Sequence, residues 1–318
     1  MSPPSLIQST APVSHPAPIA LSYELFPPRN EAAATALWNT IRELEGTNPD
    51  YVAVTYGANG SNRDTAVDLL DRLLTETSLR PLAHLTCVGN TADELAGTIS
   101  TLLERGVRGI LALRGDLPGN APAEPRPGAL NYAQDLIELI RRVEQRRSAL
   151  LCAGKVAIGV AAYPARHPES PSEEHDIEVL LAKQRSGADF AITQVFFHPG
   201  HYSNLVARAR RAGVTIPIIP GLMPLTSLRR VLRLGDMTGV APEPALLDAL
   251  GRAGDAAESR RIGVAATVDL ARAALDAGAP GVHLYTFNEH AAALDVLDKL
   301  QLLRPAAVPP AARGLVTA

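Results

Sequence analysis

Glu24 stands in the run Leu21-Ser22-Tyr23-Glu24-Leu25-Phe26, where apolar neighbours would desolvate a carboxyl and lift it toward the range of a general acid. The same placement suits a buried glutamate neutralised by an arginine, and the sequence leaves both readings open. Arg114-Gly115-Asp116 emerges directly from the aliphatic run Ile110-Leu111-Ala112-Leu113 and fits either a mutual ion pair or two groups facing a cleft. Other polar candidates end similar runs. Thr55 precedes Tyr56-Gly57-Ala58-Asn59-Gly60, Tyr163 and His167 follow Ala161-Ala162, and Gln194 follows Ile192-Thr193. In Ala83-His84-Leu85-Thr86-Cys87, alternation puts His84 and Thr86 on one strand face and Leu85 and Cys87 on the other. Gln194 offers donors and acceptors for the edge of a heterocycle, while Tyr285 and Phe287 add aromatic surface. Glu173, Glu174 and Asp176 open a helix, where they favour its dipole, and helical spacing puts Asp176, Val179 and Lys183 on one face.

Other chemistries fail on position. The chain has three lysines: Lys155 precedes a strand, and Lys183 and Lys299 lie on helices, so none stands where a Schiff base forms on an inner strand. His198 and His201 flank the turn Pro199-Gly200 with no cysteine or carboxylate close in sequence, so no metal site is expected. There is no G-x-S-x-G, Walker or G-x-G-x-x-G sequence.

The elements that must position these residues alternate regularly. Strands are expected at 21–26, 51–55, 82–86, 109–113, 156–160, 190–195, 216–219 and 281–285. Helices are expected at 31–45, 63–77, 92–105, 131–146, 172–186, 201–212, 226–235 and 289–302, with extra helical turns at 243–277. Eight strand–helix units predict an α/β fold of the (β/α)8 TIM-barrel type, with extra helices between strands 7 and 8 and the candidate residues at the strands' carboxyl ends. The Pro/Gly-rich stretch 117–128 follows the fourth strand as an active-site loop would. Residues 1–19 and 304–318 are rich in Pro, Ser and Ala and are expected to be mobile, leaving 20–303 as a single barrel.

Length and composition agree. The chain has 318 residues and a formal net charge of −3, giving no electrostatic reason to expect nucleic acid as a partner. The first 28 residues contain no Lys or Arg and no apolar run is long enough for a membrane span, so a cytoplasmic address without a membrane partner is expected. The two cysteines, Cys87 and Cys152, suit a reducing compartment.

Taken in order, these stretches resemble the catalytic barrel of the methylenetetrahydrofolate reductase family, in a bacterial form without a regulatory domain. The resemblance rests on Tyr23-Glu24-Leu25-Phe26-Pro27-Pro28, Val54-Thr55-Tyr56-Gly57-Ala58, Ala83-His84-Leu85-Thr86-Cys87 and Leu111-Ala112-Leu113-Arg114-Gly115-Asp116. It continues through Ala162-Tyr163-Pro164, His167-Pro168-Glu169, Ile192-Thr193-Gln194, Phe196-Phe197, Pro217-Ile218-Ile219-Pro220-Gly221 and His283-Leu284-Tyr285-Thr286 with Asn288. No single stretch is specific; the ordered set, from about 21 to 302, is.

The resemblance implies non-covalent FAD, reduced by NADH or NADPH, that passes hydride to 5,10-methylenetetrahydrofolate by ping-pong turnover and yields the 5-methyl folate used in methionine biosynthesis. Glu24 would be the general acid, and Asp116 would lie near flavin and pterin. Gln194, with Tyr285 and Phe287, would bind the folate. Flavin contacts would come from Thr55, His84, Arg114, Asp116, Ala161, Tyr163, His167, Asp176 and Lys183. Val179 and Ala182 stand where some bacterial members place polar or basic flavin contacts, which predicts a weaker hold on FAD. His198 replaces a usual aspartate, and Glu289 a usual arginine. A homo-oligomer is compatible with the resemblance. Two other readings are a flavin-free NADH-dependent folate reductase and a folate-binding accessory subunit. Finally, Tyr23, Phe26, Tyr56, Tyr163, Phe196, Phe197, Tyr285 and Phe287 fall in or beside the matching strands, which predicts an aliphatic core with aromatic surface gathered near the ligands.

Overall fold

A computed structural model describes residues 19–55, 63–115, 128–147 and 154–303. The first half alternates β1 (Ala20–Leu25), α1 (Glu31–Glu45), β2 (Tyr51–Val54), α2 (Arg63–Glu76), β3 (Pro81–Thr86), α3 (Ala92–Glu104), β4 (Gly109–Leu113) and α4 (Ala133–Arg146). It continues with β5 (Ala157–Ala162), α5 (Glu173–Arg185), β6 (Phe190–Thr193), α6 (Pro199–Arg211), β7 (Ile218–Ile219) and β8 (Gly221–Leu222). Three helices follow, α7 (Leu228–Thr238), α8 (Pro244–Arg252) and α9 (Ala256–Asp276), before β9 (Gly281–Tyr285) and α10 (His290–Leu300). The extra helices expected at 243–277 are α8 and α9.

The strands run in the order β7-β6-β5-β4-β3-β2-β1-β9-β8, with parallel pairing throughout. The single seventh strand expected at 216–219 is corrected to two short pieces on either side of Pro220. Proline has no N–H to give to a ladder, so strand geometry breaks there. Its carbonyl still accepts from His283 N at 3.0 Å, and β7 with β8 makes one stave that closes the barrel.

Side-chain alternation divides the sheet. Leu21, Tyr23, Leu25, Val52, Val54, Leu85, Cys87, Ile110 and Ala112 pack outward under the helices in the large core. Ala53, Leu82, Leu111 and Ile192 form a smaller cluster with Tyr51, Leu113 and Phe190. Below the strand ends this interior is filled: the Tyr51 ring lies between Phe190 and His283, and Ser22 Oγ bonds His283 Nδ1 at 2.9 Å. Two glycines make room for these rings. A Cβ on Gly159 would come within 2.7 Å of Phe190, and one on Gly221 within 2.1 Å of the Thr193 carbonyl and 2.7 Å of Tyr285.

The aromatic expectation is only partly met. Tyr23 points outward and its hydroxyl meets Thr47 Oγ1 at 2.7 Å, while Phe196 stacks on Tyr202 under the helices with Phe197 also buried. Aromatic volume thus serves the outer core as well as the candidate site. No helix among the described residues is long and apolar enough to cross a membrane.

Gly221→Ala should destabilise the barrel by about 3 kcal/mol, because the added methyl meets a backbone carbonyl that cannot move without breaking β6. A urea midpoint equal to that of the parent would refute this packing.

Candidate active site

Helix starts and strand ends bring the predicted residues to one end of the barrel. Ser172 caps α5 by accepting from His175 N, and Thr91 with Glu94 forms a reciprocal cap on α3. These caps fix where each helix leaves the rim. The β1 end is tied to the β9 end by Thr286 Oγ1, which donates to the Glu24 carbonyl at 2.8 Å. Asn288 clasps Phe26 through both amide atoms: Phe26 N donates to Oδ1 and Nδ2 donates to the Phe26 carbonyl, each at 2.9 Å. To make this clasp, Phe287 and Asn288 both adopt left-handed backbone, with φ of 51° and 63°. Asparagine tolerates that region and phenylalanine does not, so local strain is held at the rim.

Glu24 projects into the barrel and is buried. Thr55 Oγ1 donates to its Oε1 over 3.4 Å, and His84 Nε2 lies 3.6 Å from its Oε2. No arginine faces it among these contacts, so the arginine-paired reading does not describe this carboxyl. Burial pushes Glu24 up to about 7, with the Thr55 bond opposing, and burial brings His84 down to about 4. Between those values both groups are uncharged, and the pair is a contact of neutral groups rather than an ion pair. His84 Nε2 has no hydrogen-bond partner. A carboxyl that holds its proton near neutrality can deliver it to a ligand and recover it afterwards.

A second cluster gathers at the ends of β4 and β5. Lys183, buried on α5, donates from Nζ to the Ala161 carbonyl at 2.9 Å. Burial lowers its pKa to about 8; the Asp176 charge opposes the shift and Arg114 adds to it, so all three lie within electrostatic reach. Asp176 Oδ2 accepts from His167 N at 2.9 Å, and the His167 ring stands edge-on to Tyr163 at 4.5 Å. Arg114 pairs with Glu169 at 2.6 Å. Val179, on the same helix, is exposed.

Tyr285 spans the two clusters. Its hydroxyl donates to the Thr193 carbonyl at 2.9 Å, and burial, then Glu24, Tyr51 and Tyr163, hold its pKa well above the ordinary value. Gln194 follows β6 and turns its Oε1 back to accept from Val195 N at 2.9 Å. It lines a cleft with Tyr163, Arg166, Thr238 and Val240. Phe287 is 40% exposed on the rim, stacked on Phe26 at 5.5 Å, with the Arg230 guanidinium 5.0 Å from its ring centre. Asp116, Tyr56 and most of the loop 117–128 lie outside the described residues.

Sequence reasoning gave no role to Asn288 or Thr286, although an asparagine just past a strand end is the signal of a left-handed turn. It also missed Glu243, which the fold brings to His198 from 45 residues away, beyond the reach of any spacing rule. The absence of a carboxylate near His198 and His201, inferred from sequence proximity, is therefore corrected. Among the described residues no group of His, Cys, Asp and Glu is arranged to hold a metal ion.

The family model for methylenetetrahydrofolate reductase matches residues 13–301. The 5,10-methylenetetrahydrofolate reductase of Escherichia coli K12 is 35% identical over 271 residues, covering 85% of this chain and 86% of that protein. Methylenetetrahydrofolate reductase 1 of Schizosaccharomyces pombe is 30% identical over 90% of this chain but only 46% of its own length. A solved structure of a Clostridium thermocellum protein that binds two copies of 5-methyl-5,6,7,8-tetrahydrofolic acid matches with a TM-score of 0.60 at 15% identity. It covers 90% of this chain and 94% of that one, a likeness of fold.

The raised Glu24 pKa sets a pH window for stability. The folded state holds this proton up to about 7 and the unfolded chain only to about 4.5, so stability falls as pH rises through that interval. Glu24→Gln should therefore gain on the parent by about 3 kcal/mol between pH 4 and pH 8. A pH-independent difference in urea midpoints would show that Glu24 is not desolvated.

Proposed function

The chain belongs to the methylenetetrahydrofolate reductase family, and from that premise we propose that it reduces 5,10-methylenetetrahydrofolate to 5-methyltetrahydrofolate with FAD and NADH or NADPH in two alternating half-reactions. The observation that carries this reading is Glu24: a buried carboxyl, proton-bearing to about 7, at the open end of a closed barrel.

The residues present suit a flavin dinucleotide. Lys183 is a buried amine whose hydrogen bond goes to a neutral carbonyl, with Arg114 in electrostatic reach; a pyrophosphate would add negative charge beside these two cations. Asp176 orders the Tyr163–His167 turn through the His167 N–H, while Thr55 and His84 reach the barrel axis. A flavin held there would supply the chemistry of a hydride carrier between nicotinamide and folate.

The chain's own part in the chemistry is proton management and orientation. Glu24 gives its proton to the folate so that the five-membered ring opens toward an electrophilic iminium, and it does so in surroundings that penalise its own charge. The Thr55 hydroxyl, already aimed at Oε1, stabilises the carboxylate that results. The clasp of Asn288 on Phe26 and of Thr286 on the Glu24 carbonyl keeps that carboxyl from following the proton outward. Gln194 reads the pterin edge, and Phe287 supplies a stacking face at the rim. Asp116 belongs to the same reading, near flavin and pterin.

Glu24→Gln should keep flavin reduction by NADH and lose folate reduction by about 10²–10⁴-fold. Equal losses in the two half-reactions, measured by stopped-flow absorbance, would make Glu24 structural instead. Lys183→Met should lower the flavin retained on purification, read from the visible spectrum of the folded protein. Flavin content equal to the parent's would remove Lys183 from the pyrophosphate site, and a flavin-free parent that still reduces folate with NADH would overturn the FAD assignment itself.

A further inference from the structure

One group of titratable side chains lies beside the proposed site without a part in its chemistry. His198, just ahead of α6, puts Nδ1 2.5 Å from Glu243 Oε1 and Nε2 3.0 Å from the Ala241 carbonyl. A carbonyl oxygen only accepts, so Nε2 must carry a proton to make its bond. An ionised carboxylate also only accepts, so Nδ1 must carry one too. Both bonds coexist only when the His198–Glu243 pair holds one proton more than neutral imidazole plus ionised carboxylate.

The titratable groups that the described residues place here are Glu243, from the connection between α7 and α8, and His201, from the first turn of α6. His201 stands edge-on to His198 with ring centres 4.7 Å apart. Burial, then repulsion from His198, holds His201 below the ordinary histidine range, with Glu243 opposing, and its buried Nδ1 has no partner. The additional proton therefore belongs to the His198–Glu243 pair and not to His201.

These bonds join two parts of one cleft. His198 ends the segment that begins at Gln194. On the other side, Ala241 and Glu243 continue the chain from Thr238 and Val240, which line the cleft with Gln194 and Tyr163. Between them Gly239 has φ of 68°, a left-handed terminus to α7 at which the direction of the connection is set. A bond pair that fixes Ala241 and Glu243 thus fixes a wall of the cleft.

We propose that His198 is a positioning residue: when protonated it clamps the 239–243 connection against the Gln194 end of the cleft, and loss of that proton releases it. The clamped form is the one with the extra proton, so by linkage rising pH opens the clamp. Ligand affinity at Gln194 falls with it. That last step rests on the folate reading above, whereas the clamp does not.

Hydrogen exchange on the full chain tests the clamp without reference to activity. After correction for intrinsic rates, the hydrogen-bonded amides of 240–247, Val240 on Thr238 Oγ1 and Leu246 and Leu247 on the Glu243 carbonyl, should lose protection about threefold between about pH 6 and about pH 8. His198→Gln should show the weaker protection at both values. His198→Arg, which stays charged and can donate to both oxygens, should keep the stronger protection at both. Protection of the β3 amides 82–86, in an element that makes none of these bonds, serves as the control for intact folding in each variant. Exchange at 240–247 that is the same at both pH values in the parent, or unchanged by His198→Gln at the lower one, would overturn the proposal. In turnover, KM for the folate should rise with pH in the parent and rise less in His198→Arg, where only the titration of Glu24 remains. A parent KM that rises identically in His198→Arg would deny the clamp any hold on the site. Absence of folate turnover in the parent would instead sink the functional reading and leave the exchange result to decide the clamp.

Discussion

Everything at the open end of this barrel depends on the pairing of the first strand with the last. Ala20–Leu25 and Gly281–Tyr285 are some 260 residues apart in sequence, yet they form a continuous parallel ladder from Ala20↔Gly281 to Glu24↔Tyr285. Bringing such distant segments together carries a large loop-closure cost, which no single contact offsets. The ladder is reinforced where it ends, by Thr286 on the Glu24 carbonyl and Asn288 on both backbone polar atoms of Phe26. The left-handed conformations at Phe287 and Asn288 are tolerated because these bonds over-determine them.

Closure also makes the interior dry, and dryness sets the charges. Glu24 keeps its proton to about 7, His84 is neutral down to about 4 and His283 to about 3, in each case chiefly because water has been removed. The two kinds of group act in opposite directions on stability. The histidines withhold protons that the unfolded chain would bind, so stability is lost as pH falls from the ordinary histidine value through 4 and 3. Glu24 costs stability on the other side, as pH rises toward 7. Both kinds stand within one barrel interior, so the fold carries a cost from the histidines at low pH and from Glu24 at high pH.

Much of this was legible in the sequence, for definite reasons. Strands buried on both faces read as aliphatic runs of about five residues, and the polar residue at the end of each run marks the carboxyl end of a stave. Glu24, Thr55 and His84 are legible this way, and so is the alternation that sends Leu85 and Cys87 outward. The seventh stave was legible only in its first piece, within 216–219, because the proline that follows removes the ladder bond on which the pattern depends. Tyr23, Phe196 and Phe197 were misplaced because adjacency to a functional residue says nothing about face: Tyr23 neighbours Glu24 in sequence and therefore points the opposite way. The approach of Glu243 to His198 was invisible for another reason. It links two loops across 45 residues, and no periodicity reports on how loops meet.

Helix α5 shows how a local violation becomes informative. Its buried positions are Ile177, Leu180 and Lys183, so the inward stripe that should be apolar ends in an ammonium. Isolated burial of that charge is unfavourable, and the descent of its pKa to about 8 expresses the penalty. One bond to the Ala161 carbonyl and a nearby Asp176 offset part of it, but Arg114 adds to it. The balance is restored only when further negative charge enters the cleft. An anion bound there would raise the Lys183 pKa toward its ordinary value, so above about pH 8 anion binding and proton uptake are two aspects of one equilibrium. Burial of the lysine thus costs the fold stability, and an anion beside it would offset that cost.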